Sequence, residues 1–507
     1  MKKLLSILVC SLFSLLTYAQ HDHQHDHKKP AKKDTAKQQS PKPAVKDASK
    51  PSAGDQLQQD TIPNKHPDGA HDHDTPQKAA TTGHDHTATS GTHDHEDMNM
   101  SHAFSRNLPM TRNGSGTAWL PDNSPMYGYM FHSGKWMYML HGDVYLRYNK
   151  QDLLDKGTRG GSKVDAPNMV MMMGQRPVSR KGLFRFSSML SLDPITVGGG
   201  GYPLLFQTGE THKGQPLVDR QHPHDFFSEL SVGYTHSFSP YSDVFLYVGY
   251  PGEPALGPTA YVHRPSGMFN PDAPLTHHWV DATHITFGVA TLGFRYNNWK
   301  IEASSFTGRE PNEQRFNFDK PRFDSWSGRL SYNPTEKWAM QVSHGFIKEP
   351  ELLHPGENVN RSTASVTYSN RGYGEQFTNI TALWGRNKTA HDDPENGLLL
   401  EGSYIIKRTA VYSRYEWVQK SAEELRLDEA HFDHHTLFPI HSFTAGASYD
   451  IFSLEHVKIA LGGQLSFYNP DQRLSKLYGE NPIAGQVYLR LYPKVMGKRS
   501  GSIFIPY

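Results

Sequence analysis

"WMYMLHGDVYLRY", residues 136–148, alternates without a break. Trp136, Tyr138, Leu140, Gly142, Val144, Leu146 and Tyr148 form an apolar row with aromatics at both ends. Between them stand Met137, Met139, His141, Asp143, Tyr145 and Arg147, softer and more polar groups. Successive side chains of a strand point to opposite faces, so one face suits lipid and the other a polar interior. The terminal aromatics match the girdles that membrane barrels place at the interface.

The habit recurs down the chain. In "KIALGGQLSFY", Ile459, Leu461, Leu465 and Phe467 share one parity, while Lys458, Gln464 and Ser466 share the other. In "VYLRLYP", Val487, Leu489 and Leu491 oppose Tyr488, Arg490 and Tyr492. A soluble sandwich alternates too, so the connections decide. Strands are expected near 136–148, 166–175, 182–193, 226–238, 242–250, 281–296, 299–307 and 325–332. Eight more are expected near 338–347, 361–369, 375–385, 397–406, 409–419, 441–450, 457–467 and 484–493. Short links such as 239–241 and 407–408 alternate with long ones such as 194–225, 251–280 and 420–440. That is the pattern of an all-β, antiparallel outer-membrane barrel of about 16 strands (14–18), with both ends in the periplasm and the long loops outside.

The first residues read as a secretory signal. Lys2 and Lys3 precede an apolar run from Leu4 to Leu16, and Thr17 and Ala19 place small residues before a cut after Ala19. The run is too short to span a bilayer. The only cysteine, Cys10, lies inside it, so disulfides, thiolate zinc sites and cysteine nucleophiles are excluded from the mature chain. The formal charge of +1 becomes about −1 once Lys2 and Lys3 leave, and nothing suggests nucleic acid. No G-x-S-x-G element occurs, and Ser228 and Ser343, the serines near histidines, lie on no recognisable elbow, so no enzyme is expected.

Residues 20–120 hold few branched aliphatics and are expected to be a disordered periplasmic tail, with the barrel occupying 121–507. The tail carries five His-Asp-His triplets: His21 to His23, His25 to His27, His71 to His73, His84 to His86 and His93 to His95. In extended chain the two imidazoles of a triplet lie on one side and can share an ion, with the aspartate adding an oxygen. Imidazole suits copper, zinc, nickel or cobalt, and a flexible segment offers several exchangeable sites rather than one cage. The competing reading is a solubilising spacer.

Softer donors follow. Met98, Met100 and His102 alternate, and twelve of the sixteen methionines lie between Met98 and Met189. Thioether sulfur selects copper(I). Met137, Met139 and His141 share the expected lumen face, and Met169, Met171 and Met173 share one face of the next strand; as the bland alternative, methionine fills irregular apolar gaps. In "QTGETHKGQPLVDRQHPHDFFSEL" (207–230), Pro223 holds His222 and His224 in a defined relation beside Asp225. His277, His278, Asp281 and His284 form a further histidine group, as do His431, Asp433, His434 and His435. A metal site and a hydrogen-bonded structural knot both fit the Asp-Arg-Gln-His-Pro-His-Asp run.

That run, after a glycine-glutamate element, resembles the signature of a family of largely uncharacterised Gram-negative outer-membrane proteins, over roughly 130–493. The layout of a His/Met-rich segment before a barrel is similar to the copper-resistance outer-membrane protein B family. These resemblances imply an outer-membrane barrel and, by architecture alone, copper handling. The expected function is transition-metal binding and tolerance or efflux, with outer-membrane lipid, metal ions and periplasmic metal-handling proteins as partners, and an oligomer open. The alternatives are a substrate-specific uptake porin unrelated to metal, and a membrane-anchored metal sponge without transport.

Overall fold

The computed structural model describes residues 101–496, together with a short strand at Ile503–Phe504. The signal segment, the five histidine triplets from His21 to His95, Met98 and Met100 lie outside the described residues.

Among the described residues, sixteen antiparallel strands close into a barrel. They are β1 (Trp136–Gln151), β2 (Asn168–Pro177), β3 (Gly182–Leu190), β4 (Phe227–Ser239), β5 (Ser242–Gly249), β6 (Val289–Tyr296), β7 (Trp299–Phe306) and β8 (Ser325–Thr335). Then follow β9 (Trp338–Lys348), β10 (Asn358–Arg371), β11 (Gln376–Lys388), β12 (Glu395–Ile406), β13 (Thr409–Ser421), β14 (Leu437–Ser453), β15 (Val457–Pro470) and β16 (Ile483–Pro493). Strand β16 returns to β1, with Val487 opposite Tyr148, and this closes the sheet. Closure removes the free edges that an open sheet would leave unpaired in lipid.

Burial follows the expected parity. Met137, Met139, Tyr145 and Arg147 of β1 are buried, whereas Leu140, Val144, Leu146 and Tyr148 are exposed. Outward apolar rows recur in Leu292 and Phe294, Leu398 and Leu400, and Leu489 and Leu491. So much exposed apolar surface on a closed barrel is a lipid-facing surface. Trp299 stacks on Tyr332 at 3.9 Å and Trp338 meets Tyr368 at 4.8 Å, forming part of an aromatic girdle beside the short turns.

Fifteen expected strands appear with ends displaced by four residues or fewer. The sixth is shortened. It begins at Val289 rather than 281, because Asp281 to Phe287 belong to a segment folded inside the barrel.

Three segments enter that interior: residues 250–288, residues 101–120 and the hairpin Tyr202–His212 with Gln215–Gln221. Residues 250–288, the link between β5 and β6, are buried almost throughout. Their polar groups are received by the inner wall on many sides. Arg147 of β1 donates to the Pro271 carbonyl and to Asp272 at 2.8 Å, and Arg414 of β13 donates to the Asp272 carbonyl. Arg264 reaches Glu401 of β12 at 2.5 Å, Thr276 donates to Glu416 of β13, and Arg329 of β8 donates to the Gly257 carbonyl. A backbone inside a barrel must find such partners, because water does not reach it freely.

The second segment corrects the expected tail. Residues 101–120 are structured and packed within the short-turn end of the barrel, so the expected boundary at 120 does not hold there. Ser105 donates to Asp243 of β5 at 2.6 Å, Lys300 of β7 donates to the Thr117 carbonyl, and Asn333 of β8 donates to the Leu120 carbonyl. Phe104, Leu108, Met110, Trp119 and Leu120 are buried. These apolar groups are what a solvated tail lacks.

Candidate functional site

The methionines gather because two antiparallel strands present them on one face. Across β1 and β2, Met139 lies opposite Met173 and His141 opposite Met171; across β2 and β3, Met171 lies opposite Met189. Met137, Met139, Met169, Met171 and Met189 are all buried. Met110, Met126, Met130 and Met496 join Met137 and Met139 at the short-turn end. Met173 packs with both that group and a second one of Met169, Met171 and Met189. Thioethers therefore line the wall continuously from the short-turn end toward the middle. There the Nε2 of His141 lies 3.2 Å from the Met171 sulfur. Gly142 makes this approach feasible: its φ is +154°, and a Cβ would run into the Met169 carbonyl.

The Asp-Arg-Gln-His-Pro-His-Asp run is tied down residue by residue. It ends an internal hairpin, Tyr202–His212 with Gln215–Gln221. Asp219 accepts from the Phe206 amide at 2.7 Å and from the Tyr478 hydroxyl at 3.1 Å. Arg220 donates to the Gly200 and Gly201 carbonyls, and Gln221 accepts from Gln207. The Nε2 of His222 lies 3.2 Å from Glu210, and the Nδ1 of His224 lies 3.0 Å from Asp193. Asp225 pairs with Arg315, which also holds Glu210. Gly209, at φ +122°, leaves room for the His278 ring, which a Cβ would strike.

Beyond this run the imidazoles form a chain. His222 lies 6.4 Å from His277 and 6.1 Å from His278, centroid to centroid. His277 lies 5.2 Å from His284, and His284 lies 5.5 Å from His224. Apart from these, His263 lies 5.1 Å from His141. A cavity of about 60 Å³ lies beside this chain, lined among others by Asp143, Met169, Met189, Asp193, His222, His224 and Tyr261.

The surroundings push these rings in different directions. Burial, with Arg315 nearby, holds His222 well below the ordinary imidazole range. Burial and His277 do the same for His278, and burial takes His284 down to about 3. Burial opposes charge on His224 most strongly, but the hydrogen bond to Asp193 and the charges of Asp193 and Asp225 together outweigh it, and the net direction is upward. Neutral rings are the form that ligates metal, so the upward direction at His224 disfavours it as a donor relative to His222, His278 and His284.

The structure therefore divides the expected site residues. Met137, Met139 and His141 face the interior as expected. His222, His224 and Asp225 are near one another but point to different partners, Glu210, Asp193 and Arg315. Among the described residues no three His, Cys, Asp or Glu side chains converge on a common metal position. His102 is buried, with its Nδ1 accepting from the Phe104 amide at 3.0 Å, and its expected companions Met98 and Met100 lie outside the described residues. His431, His434 and His435 lie on an exposed loop and pair separately with Asp428, Glu429 and Asp392. Sequence reading missed His263, in the short turn Tyr261–His263. A lone histidine in a loop carries no spacing signal, and only the fold brings it to His141.

No family model matches the chain, and no curated protein matches it. Among solved structures it is similar to Salmonella typhi OmpF in complex with daunomycin, at 9% identity over 72% of this chain and 100% of that one, TM-score 0.46. It is also similar to Pseudomonas putida OprB, at 9% identity over 70% and 94%, TM-score 0.43. The anion-selective porin from Comamonas acidovorans shows 12% identity over 70% and 99%, TM-score 0.41.

Proposed function

We propose that the protein is an outer-membrane barrel that binds a soft transition-metal ion, copper before zinc, nickel or cobalt, and contributes to tolerance of it. The observation that carries this reading is the inner wall where β1, β2 and β3 bring Met139, Met173, Met171, Met189 and His141 into register. A cluster of thioethers beside an imidazole is a donor set for copper(I) and a poor one for magnesium or calcium. Methionine as core filler accounts for the packing, but not for a ring nitrogen set against sulfur.

In this reading the tail histidines are a collecting segment that passes ions to the wall, and periplasmic metal-handling proteins are the partners that share the load. Loss of the protein lowers the copper concentration a strain tolerates. The full-length protein purified from copper-supplemented cells carries copper. A strain without the protein that matches its parent on copper, zinc and nickel, together with metal-free purified protein, would sink the reading.

The interior segments favour a second version, in which the barrel binds metal but does not conduct it. Residues 250–288 are tied to the wall by buried ion pairs such as Arg264 with Glu401, and in this version they stay in place. Planar-bilayer recording separates the two versions: metal-dependent conductance supports efflux, while a silent, metal-loaded barrel supports storage. Open conductance with no bound metal supports the uptake alternative.

A further inference from the structure

Resting on the metal reading above, we propose that His141, Met171 and His263 form one defined site for a monovalent thiophilic cation, copper(I) or its redox-inert counterpart silver(I). The geometry is close to what one ion would need. With metal–nitrogen bonds of about 2.0 Å, two imidazoles on a tetrahedral ion have ring centroids roughly 5 Å apart. Those of His141 and His263 are 5.1 Å apart. With a metal–sulfur bond of about 2.3 Å, nitrogen and sulfur on such an ion stand roughly 3.5 Å apart. The Nε2 of His141 and the Met171 sulfur stand 3.2 Å apart, so a shift of a few tenths of an ångström brings that pair to the required spacing.

The neighbours explain why this trio is distinct. His222, His224 and His277 each spend a ring nitrogen on a carboxylate, Glu210, Asp193 and Asp281. The His263 imidazole has no hydrogen-bond partner among the described residues, and its ring contact is with His141. Met189, opposite Met171, supplies an adjacent exchange ligand. The site also straddles two bodies: His141 and Met171 belong to the wall, His263 to the internal segment 250–288. An ion held there fastens that segment to β1 and β2, which couples metal occupancy to the state of the interior.

The test uses the full-length protein in detergent, loaded with silver(I) and challenged with a nitrogen chelator. Wild type retains one silver that resists the challenge, and zinc(II) does not displace it. Met171→Leu and His263→Gln each lose that ion at a chelator concentration at least about tenfold lower. Met171→Cys, which restores a soft sulfur, retains it, and this answers a loss by misfolding. Alanine at the histidines of the five tail triplets leaves the tight ion in place. If wild type holds a tight silver and both wall and loop variants hold it equally well, the site is wrong while the metal reading stands. If wild type holds no silver, both fail.

Discussion

Two groups of histidines occupy opposite environments in this barrel. On the outer loop, His431, His434 and His435 are 74%, 47% and 61% exposed, each beside a different acid. In the interior, His222, His224, His277, His278 and His284 are packed into one another and into an Arg–carboxylate frame. The residue type is the same and the physics is not. An exposed ring and its acid exchange partners with water at little cost, so the loop group adds little to stability. A buried ring is desolvated and held by fixed neighbours, so its position and charge are set by the fold.

The contrast breaks most readily at the frame. Arg315→Leu leaves Glu210 and Asp225 buried without their cation, at a cost of about 3–5 kcal/mol. Denaturant unfolding in detergent measures this, and an effect below about 1 kcal/mol would show the frame to be incidental. Gly142→Ala pushes a methyl against the Met169 carbonyl between β1 and β2. The expected cost is about 1–3 kcal/mol, with weaker silver retention at the His141–Met171 pair. Acidification gives a subtler contrast. Protons compete for His263 only below its depressed value, and the titratable groups facing it are His141, His284 and His224. Silver retained in the interior is therefore unchanged from pH 7.5 to below about 6.5, the ordinary imidazole value. Loss of the tight ion in step with an ordinary imidazole titration would contradict this. The smallest effect belongs to the loop: alanine at His431, His434 and His435 together changes stability by about 0.5 kcal/mol or less and leaves the tight silver untouched.

The wall was legible in the sequence because alternation is a local property. Met137, Met139 and His141 fall on the lumen face by counting from Trp136, and the short turns separate one strand from the next. The interior segments were not legible in the same way. "HHWVDATHITFG" (277–288) is rich enough in apolar residues to read as the start of a strand, yet it is buried on all sides by a barrel wall that no local pattern announces. A signal was available. Loops in water do not carry Leu256, Tyr261, Phe269, Leu275 and Trp279 within thirty residues, and neither does a solvated tail carry Phe104, Leu108 and Trp119. The Asp-Arg-Gln-His-Pro-His-Asp run left two readings open, and the hydrogen bonds of Asp219, Arg220, Gln221 and Asp225 favour the structural one. The partner of His141 came from far along the chain, and only closure of the barrel around its own loop brings it there.

Copper K-edge X-ray absorption on the copper(I)-loaded full-length protein, with alanine at the histidines of the tail triplets, tests the central claim most directly. The account predicts bound copper with a mixed shell of nitrogen and thioether sulfur, the sulfur at about 2.3 Å, and loss of part of the sulfur signal in Met171→Leu. Copper absent from that protein, or present with only nitrogen and oxygen neighbours, would contradict it.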